Sequence, residues 1–135
     1  MSARFLLDTN IISHLVARRL PSAERRIVRL APDQILVSAI SYGEVWFGLN
    51  RRPSKISVRD ATADFFLEAQ VLPWTRKTAD IYSHLRADLE KIGKPLGSLD
   101  LLIAAQALEA GATLVTNDRA FRFVPKLAIE DWTAD

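Results

Sequence analysis

The sequence contains no cysteine. Disulfide scaffolds, thiolate metal sites and cysteine nucleophiles are thereby excluded, and the absence fits a reducing cytosol. Long apolar runs are missing as well: each is broken within a few residues by Asp8, Glu44 or Asp100, so none approaches the roughly 20 residues that a membrane-spanning helix needs. Nothing near Met1 joins a charged stretch to a cleavable apolar segment. The expectation is a cytoplasmic chain with no membrane association. Low-complexity tracts and internal repeats are absent. The only histidines, His14 and His84, read as surface or helix-face residues rather than ligands.

What remains is ordinary in amount and uneven in placement. The 135 residues fit one domain able to bury a contiguous core without a structural metal, and leave no room for a second. An apolar fraction of 49% with 25% charged residues is that of a soluble globular protein. Residues 1–59 hold ten Lys/Arg against four Asp/Glu, a net of +6, whereas residues 60–135 hold eight against twelve, a net of −4. The basic half includes Arg18, Arg19, Arg25, Arg26, Arg29, Arg51, Arg52, Lys55 and Arg59. Such a surface can receive a polyanion, although on charge alone solvated helix faces are the favoured account.

Short buried strands alternate with helical segments. Arg4–Leu7 is too brief and too continuously apolar for an amphipathic helix and reads as a strand. Ile11–Arg18 reads as helical. Pro21 suits a first helical position, and Ile27, Val28 and Leu30 fall on one side of a second short helix that Pro32 stops. ILVS, 35–38, is the next strand. Ser41 and Glu44 form the S-x-x-E pattern of a helix start, and Ser54 is placed to cap another helix running to about Gln70. VLPW, 71–74, reads as a third strand. Thr75 opens a helix to about Lys91, with Ile81, Leu85, Leu89 and Ile92 at helical spacing and Gly93 closing it. Gly97 and Ser98 break and cap, Leu99–Glu109 is a helix buried on most faces, and Gly111 sits just past its end. TLVT follows as a strand, the chain turns at 123–125, and a last strand falls within LAIED. This alternation predicts an α/β fold whose central parallel sheet of four to five strands is covered on both faces.

Open parallel sheets bind ligands in the crevice beyond the carboxyl ends of their strands. Asp8 follows the first strand directly, Glu44 lies early in the helix after the second, Asp100 lies in the first turn of a late helix, and Asp118 follows TLVT with Asn117 between. All four are placed to face that rim. Each also has a purely local explanation: Asp8 and Asp118 as caps of the following turns, Glu44 as the acid of its capping box, Asp100 as a complement to a helix dipole. Against the local explanations stands the repetition of strand-end chemistry in Asp8-Thr9-Asn10 and Thr116-Asn117-Asp118.

Two carboxylates about 5 Å apart repel by roughly 3 kcal/mol at an effective dielectric of 20. A domain stable by about 5–15 kcal/mol does not hold four of them bare. Protons or a cation must neutralise the cluster. An all-oxygen set suits Mg²⁺ or Mn²⁺ and disfavours Zn²⁺, and such an ion activates water against a phosphodiester. Thr9, Asn10, Ser38, Thr116 and Asn117 are placed to orient waters or carboxylates around it.

Four boxes in order, FLLDTN, SAISYGE, GSLDLLIAA and LVTND followed by Phe121, resemble a PIN domain. The overall length and the ending in I-E-D-W resemble the VapC ribonuclease toxins of bacterial toxin–antitoxin pairs, and the likeness runs from Phe5 to Trp132. It implies a three-layer α/β/α fold, Mg²⁺-dependent endoribonuclease activity on structured RNA such as transfer or ribosomal RNA, and an acidic site of Asp8, Glu44, Asp100 and Asp118. It further implies a homodimer and a cognate VapB-type antitoxin, with DNA reached only through that partner. One departure is Ala120, where such proteins often carry another acid before the Phe. Arg18, Arg19, Arg51 and Arg52 are the expected phosphate contacts. Tyr42, Trp46 and Trp74 could stack on bases, with core packing the expectation for the two tryptophans. Two rivals differ in class. A phosphoacceptor receiver domain wants an Asp ending the third strand and a Lys after a late one, which VLPWTRK and LVTND do not supply; a catalytically silent binding module would carry the same acids without using them.

Overall fold

Leu6 and Leu7 point to opposite faces of one strand, and that alternation organises the molecule. The computed structural model describes residues 2–94 and 96–134. Strand β1 (Phe5–Leu7) pairs in parallel with β2 (Ile35–Ser38) on one side and β4 (Thr113–Val115) on the other. β3 (Gln70–Leu72) and β5 (Ile129–Glu130) form the edges, giving the order β3-β2-β1-β4-β5. The register aligns Leu6 with Leu36 and Leu114. These three face one layer, while Leu7, Ile35, Val37 and Val115 face the other.

Six α-helices among the described residues cover the two faces. On the Leu7 face lie α1 (Thr9–Val16), α2 (Pro21–Ile27), α3 (Ala39–Asn50) and α4 (Ile56–Glu68), contributing Ile11, Ile12, Ala23, Val45 and Phe66. Trp132 completes that core, its carbonyl accepting from the Ser22 hydroxyl at 2.6 Å. On the Leu6 face lie the paired helices α5 (Arg76–Lys91) and α6 (Ser98–Ala110), with Phe121 and Val124 behind them. The arrangement is the three-layer α/β/α fold with a parallel sheet that the alternation of elements predicts.

Several local expectations are corrected. α1 ends at Val16 rather than Arg18, because Arg18 takes a left-handed φ of 61° and leaves the helix. Val28 is 80% exposed and does not share a side with Ile27 and Leu30, which pack on the core. Ser38, not Ser41, caps α3 by accepting from the Ile40 N–H at 3.0 Å; the helix therefore starts two residues before Ser41, and Glu44 is its sixth residue rather than a capping-box acid. Ser54 does not cap α4; its hydroxyl donates back to the Leu49 carbonyl, and Lys55 takes the cap position without a side-chain bond. Trp74 lies outside β3, and Thr116 outside β4. The apolar stripe of α5 stops at Leu89, Ile92 being 59% exposed. Ser98 is the first residue of α6, with Gly97 in the cap position. Trp46 and Trp74 are both half-buried; Trp46 packs against the core beside Phe66, whereas Trp74 meets Tyr82 edge to face without joining either core, and the Tyr42 ring lies 4.6 Å from that of Phe66.

Candidate active site

The chain turns out of β1 at Asp8, and three local forces fix that residue. Its N–H continues the ladder to the Val115 carbonyl at 3.1 Å. Its Oδ1 accepts from the Ile11 N–H at 2.9 Å, so it caps α1. The Thr116 hydroxyl, at the end of the neighbouring strand, bonds the same carboxylate. Asp8 is consequently held at the sheet rim with only 6% of its surface exposed. Burial pushes its carboxyl above the ordinary range; the Thr116, Ile11 and Asn10 bonds pull it back, and the negative charge of Asp118 raises it further.

Asp118 caps a 3₁₀ turn, Arg119–Phe123, its Oδ1 accepting from the Ala120 N–H at 2.9 Å. It is exposed. Its own N–H donates to the Thr116 Oγ1 at 3.0 Å, so one hydroxyl joins the two acidic turns. Asp100 lies in the first turn of α6. Its carboxyl is raised by burial first, then by the charges of Asp118 and Asp8. Three acids from the ends of β1 and β4 and the start of α6 thus feel one another, and no cation is among the groups that shift Asp8 or Asp100.

Glu44, the fourth acid, sits half-exposed on α3. α3 is tied to the rim, because the Thr9 hydroxyl donates to Ser41 Oγ at 2.9 Å. That buried Ser41 is a positioning contact that the capping-box reading of Ser41 conceals. Ser38 serves as a helix cap, while Asn10 and Asn117 are exposed at the turns.

The donor set is one of hard oxygens carrying uncompensated charge, which fits a divalent cation of the Mg²⁺ type. Among the described residues no three His, Asp or Glu side chains are drawn closely enough together to hold an ion by themselves. Mg²⁺ commonly takes only one or two carboxylates and keeps several waters, so the chemistry of the set fits and its geometry is that of an open rim.

Arg19, Arg51 and Arg52 line one cleft of about 450 Å³ together with Lys55, over an apolar floor that includes Val16 and Val45. α1 borders it at Ser13 and Val16, roughly 7–12 Å along the helix from Asp8 at about 1.5 Å per residue. Arg18 is outside the lining and lies 3.9 Å from Glu24. His14, in the last turn of α1, and His84, on α5, are both exposed. A smaller pocket of about 240 Å³ lies at the ends of β4 and β5, where Asp118 is joined by Arg119 and Arg122. Neither arginine stands out in the sequence, although both follow a strand-end acid within four residues.

Residues 5–127 match the model of the PIN domain. The chain is 31% identical over 130 residues to Ribonuclease VapC2 of Rickettsia felis, covering 95% of this chain and 97% of that one, and 28% identical to the tRNA(fMet)-specific endonuclease VapC of Shigella flexneri, covering 96% and 98%. Its fold superimposes with a TM-score of 0.87, at 30% identity and 95% and 98% coverage, on the crystal structure of VapBC2 from Rickettsia felis bound to a DNA fragment from its promoter. Strand-end acids, sheet order and sequence relationship agree, and the chain belongs to the PIN-domain family, within its VapC ribonuclease branch.

Proposed function

We propose that this chain is a divalent-cation-dependent endoribonuclease toxin that cuts structured RNA in the cytoplasm and is restrained by a cognate VapB-type antitoxin. The observation that carries the reading is the trio Asp8, Asp100 and Asp118, whose like charges act on one another with no cation among the groups shifting Asp8 or Asp100. The VapC relatives, one of them named for a transfer RNA, supply the substrate class. The VapBC2 structure of similar fold, a complex bound to promoter DNA, supplies the kind of partner, and DNA contact made only through that partner belongs to the same proposal. A homodimer is part of the same proposal.

Asp8 and Asp100 would hold Mg²⁺, or Mn²⁺ in its place, with Asp118 closing the rim and Glu44 reaching the ion from α3 through water. A bound ion of this type acidifies water and offsets charge on a phosphodiester. The chain's own residues supply the frame. Ile11 N–H and the Thr116 hydroxyl fix the Asp8 carboxylate, Thr9 anchors α3 beside it, and Arg19, Arg51 and Arg52 offer the backbone of the RNA a cationic cleft. A second reading, a silent module that binds RNA or antitoxin without cutting, is favoured by one observation: no three acids are gathered into a ready-made ligand set among the described residues.

Purified protein incubated with bacterial transfer RNA separates the two. Cleavage is expected with Mg²⁺ or Mn²⁺, none with a chelator, and none from the Asp8→Asn or Asp100→Asn variants. Parental rates from either variant, or in chelator, would overturn the assignment.

A further inference from the structure

Resting on that nuclease reading, we infer that Arg119 and Arg122, with Lys94 alongside, form a second phosphate-binding subsite for the RNA, across the acids from the α1–α3 cleft. The two arginines lie three residues apart in the 3₁₀ turn Arg119–Phe123, a spacing that places side chains on the same side. Both line the pocket that Asp118 enters from the end of β4. Among the described residues neither they nor Lys94 has an ion-pair partner. The other acid of the pocket, Asp131, is engaged by the Thr133 hydroxyl at 2.6 Å and its N–H at 2.8 Å, and its carboxyl is lowered by those bonds and by Arg26. Nor do these cations relieve the acids, because none is among the groups that shift Asp8 or Asp100. Two cations therefore share a pocket with Asp118, and a third meets the neighbouring Phe123 ring, all with their charge unspent, in the half of the chain whose net charge is −4.

Phe123 holds two of them in place. Its ring, 36% exposed, has the Lys94 Nζ 4.6 Å and the Arg122 Cζ 4.9 Å from its centroid. Cation–π contacts orient a charge without neutralising it, and a cation ordered beforehand loses less freedom when it meets an anion. The placement supplies the direction. Arg19, Arg51, Arg52 and Lys55 lie with α1, α3 and α4 on the Leu7 face of the sheet, whereas the 3₁₀ turn belongs with α5 and α6 to the Leu6 face. The acids lie on the rim between. A strand of RNA entering from the first cleft crosses Asp8, Asp100 and Asp118 and reaches Arg119 and Arg122 with its next phosphates, so the bond to be cut is held from both sides.

The test combines Arg119→Ala and Arg122→Ala in one variant, compared with Arg76→Ala/Lys77→Ala, which removes equal charge from the exposed start of α5. Binding of fluorescent bacterial transfer RNA is titrated across salt concentrations in an Asp8→Asn background, and cleavage is followed with the acids intact. The subsite predicts weaker binding, a salt slope shallower by roughly 1.4–1.8 for two lost phosphate contacts, and a higher KM with kcat nearly kept, none of it in the Arg76/Lys77 variant. Parental affinity and slope would overturn the subsite, and where Asp8→Asn still abolishes cleavage the nuclease reading survives that result. If the parent cuts nothing but the slope changes as predicted, the subsite stands and the nuclease reading falls. Unchanged RNA binding with weakened binding of an antitoxin-type protein would assign the pocket to a protein partner and overturn the proposal.

Discussion

The turns that follow β1 and β4 use the same three residue types in different order, Asp8-Thr9-Asn10 and Thr116-Asn117-Asp118, on neighbouring parallel strands. In both the aspartate caps the next helical turn. Their surroundings differ. Asp8 follows its strand immediately and is enclosed, while Asp118 comes two residues later and stands in solvent. The difference teaches that capping and charge concentration are not rival explanations of these acids. The same backbone N–H that a capping aspartate satisfies also fixes where its second oxygen points, and the enclosed member of the pair bears the cost of burial that a cation would offset.

Removing charge from each turn in succession breaks the comparison most severely. Asp8→Asn keeps an oxygen for the Ile11 N–H and removes the charge, so turnover should disappear and the single-turnover rate fall by about a thousandfold, the scale for losing one electrostatic stabiliser of a transition state, with the fold intact. Asp118→Asn should lose about ten- to a hundredfold, as supporting residues around a site do. Single-turnover rates on transfer RNA measure both. Equal losses would mean that enclosure does not distinguish the two turns.

Next in size is the response to the ion. Mg²⁺ bound only by the folded state adds about 2.7 kcal/mol at a hundred times its dissociation constant, and the melting temperature should rise with Mg²⁺ accordingly. Asp8→Asn should abolish most of that rise and Asp118→Asn a smaller part. A melt indifferent to Mg²⁺ in the parent would leave the enclosed turn without the cation its charge calls for.

How much of this was legible beforehand follows from range. Strand existence and order of elements were readable because short continuous apolar runs and strand-end polar groups are local, and Leu6, Leu7 and the runs 35–38 and 113–115 lie where the apolar pattern puts them. The four acids Asp8, Glu44, Asp100 and Asp118 were expected at one rim from the order of elements and the strand-end residues, and among them Asp8, Asp100 and Asp118 are near enough for their charges to interact. The start of α3 was misread because Ser41 and Ser38 both offer a hydroxyl at a helix start, and only the tertiary bond from Thr9 to Ser41 decides which is free to cap. The arginines at 119 and 122 escaped notice because in a chain with 18 Lys/Arg only the shared pocket marks them out.

The smallest effect concerns acid. Asp8 and Asp100 both have folded-state carboxyls raised above their unfolded value, so between those values the folded chain binds more protons than the unfolded one. Stability without metal must then fall as pH climbs from the ordinary carboxylate range through the raised folded values, and must recover as pH drops. The comparison is sharpened by taking melting curves in chelator at a series of pH values. Asp8→Asn should melt higher than the parent once pH exceeds the folded values, with the gap closing toward acid. Asp118→Asn should show the same sign and a smaller gap, since removing Asp118 only relieves its repulsion of the other two while their burial remains. A gap that is constant with pH would show that the Asn side chain changes packing and not charge.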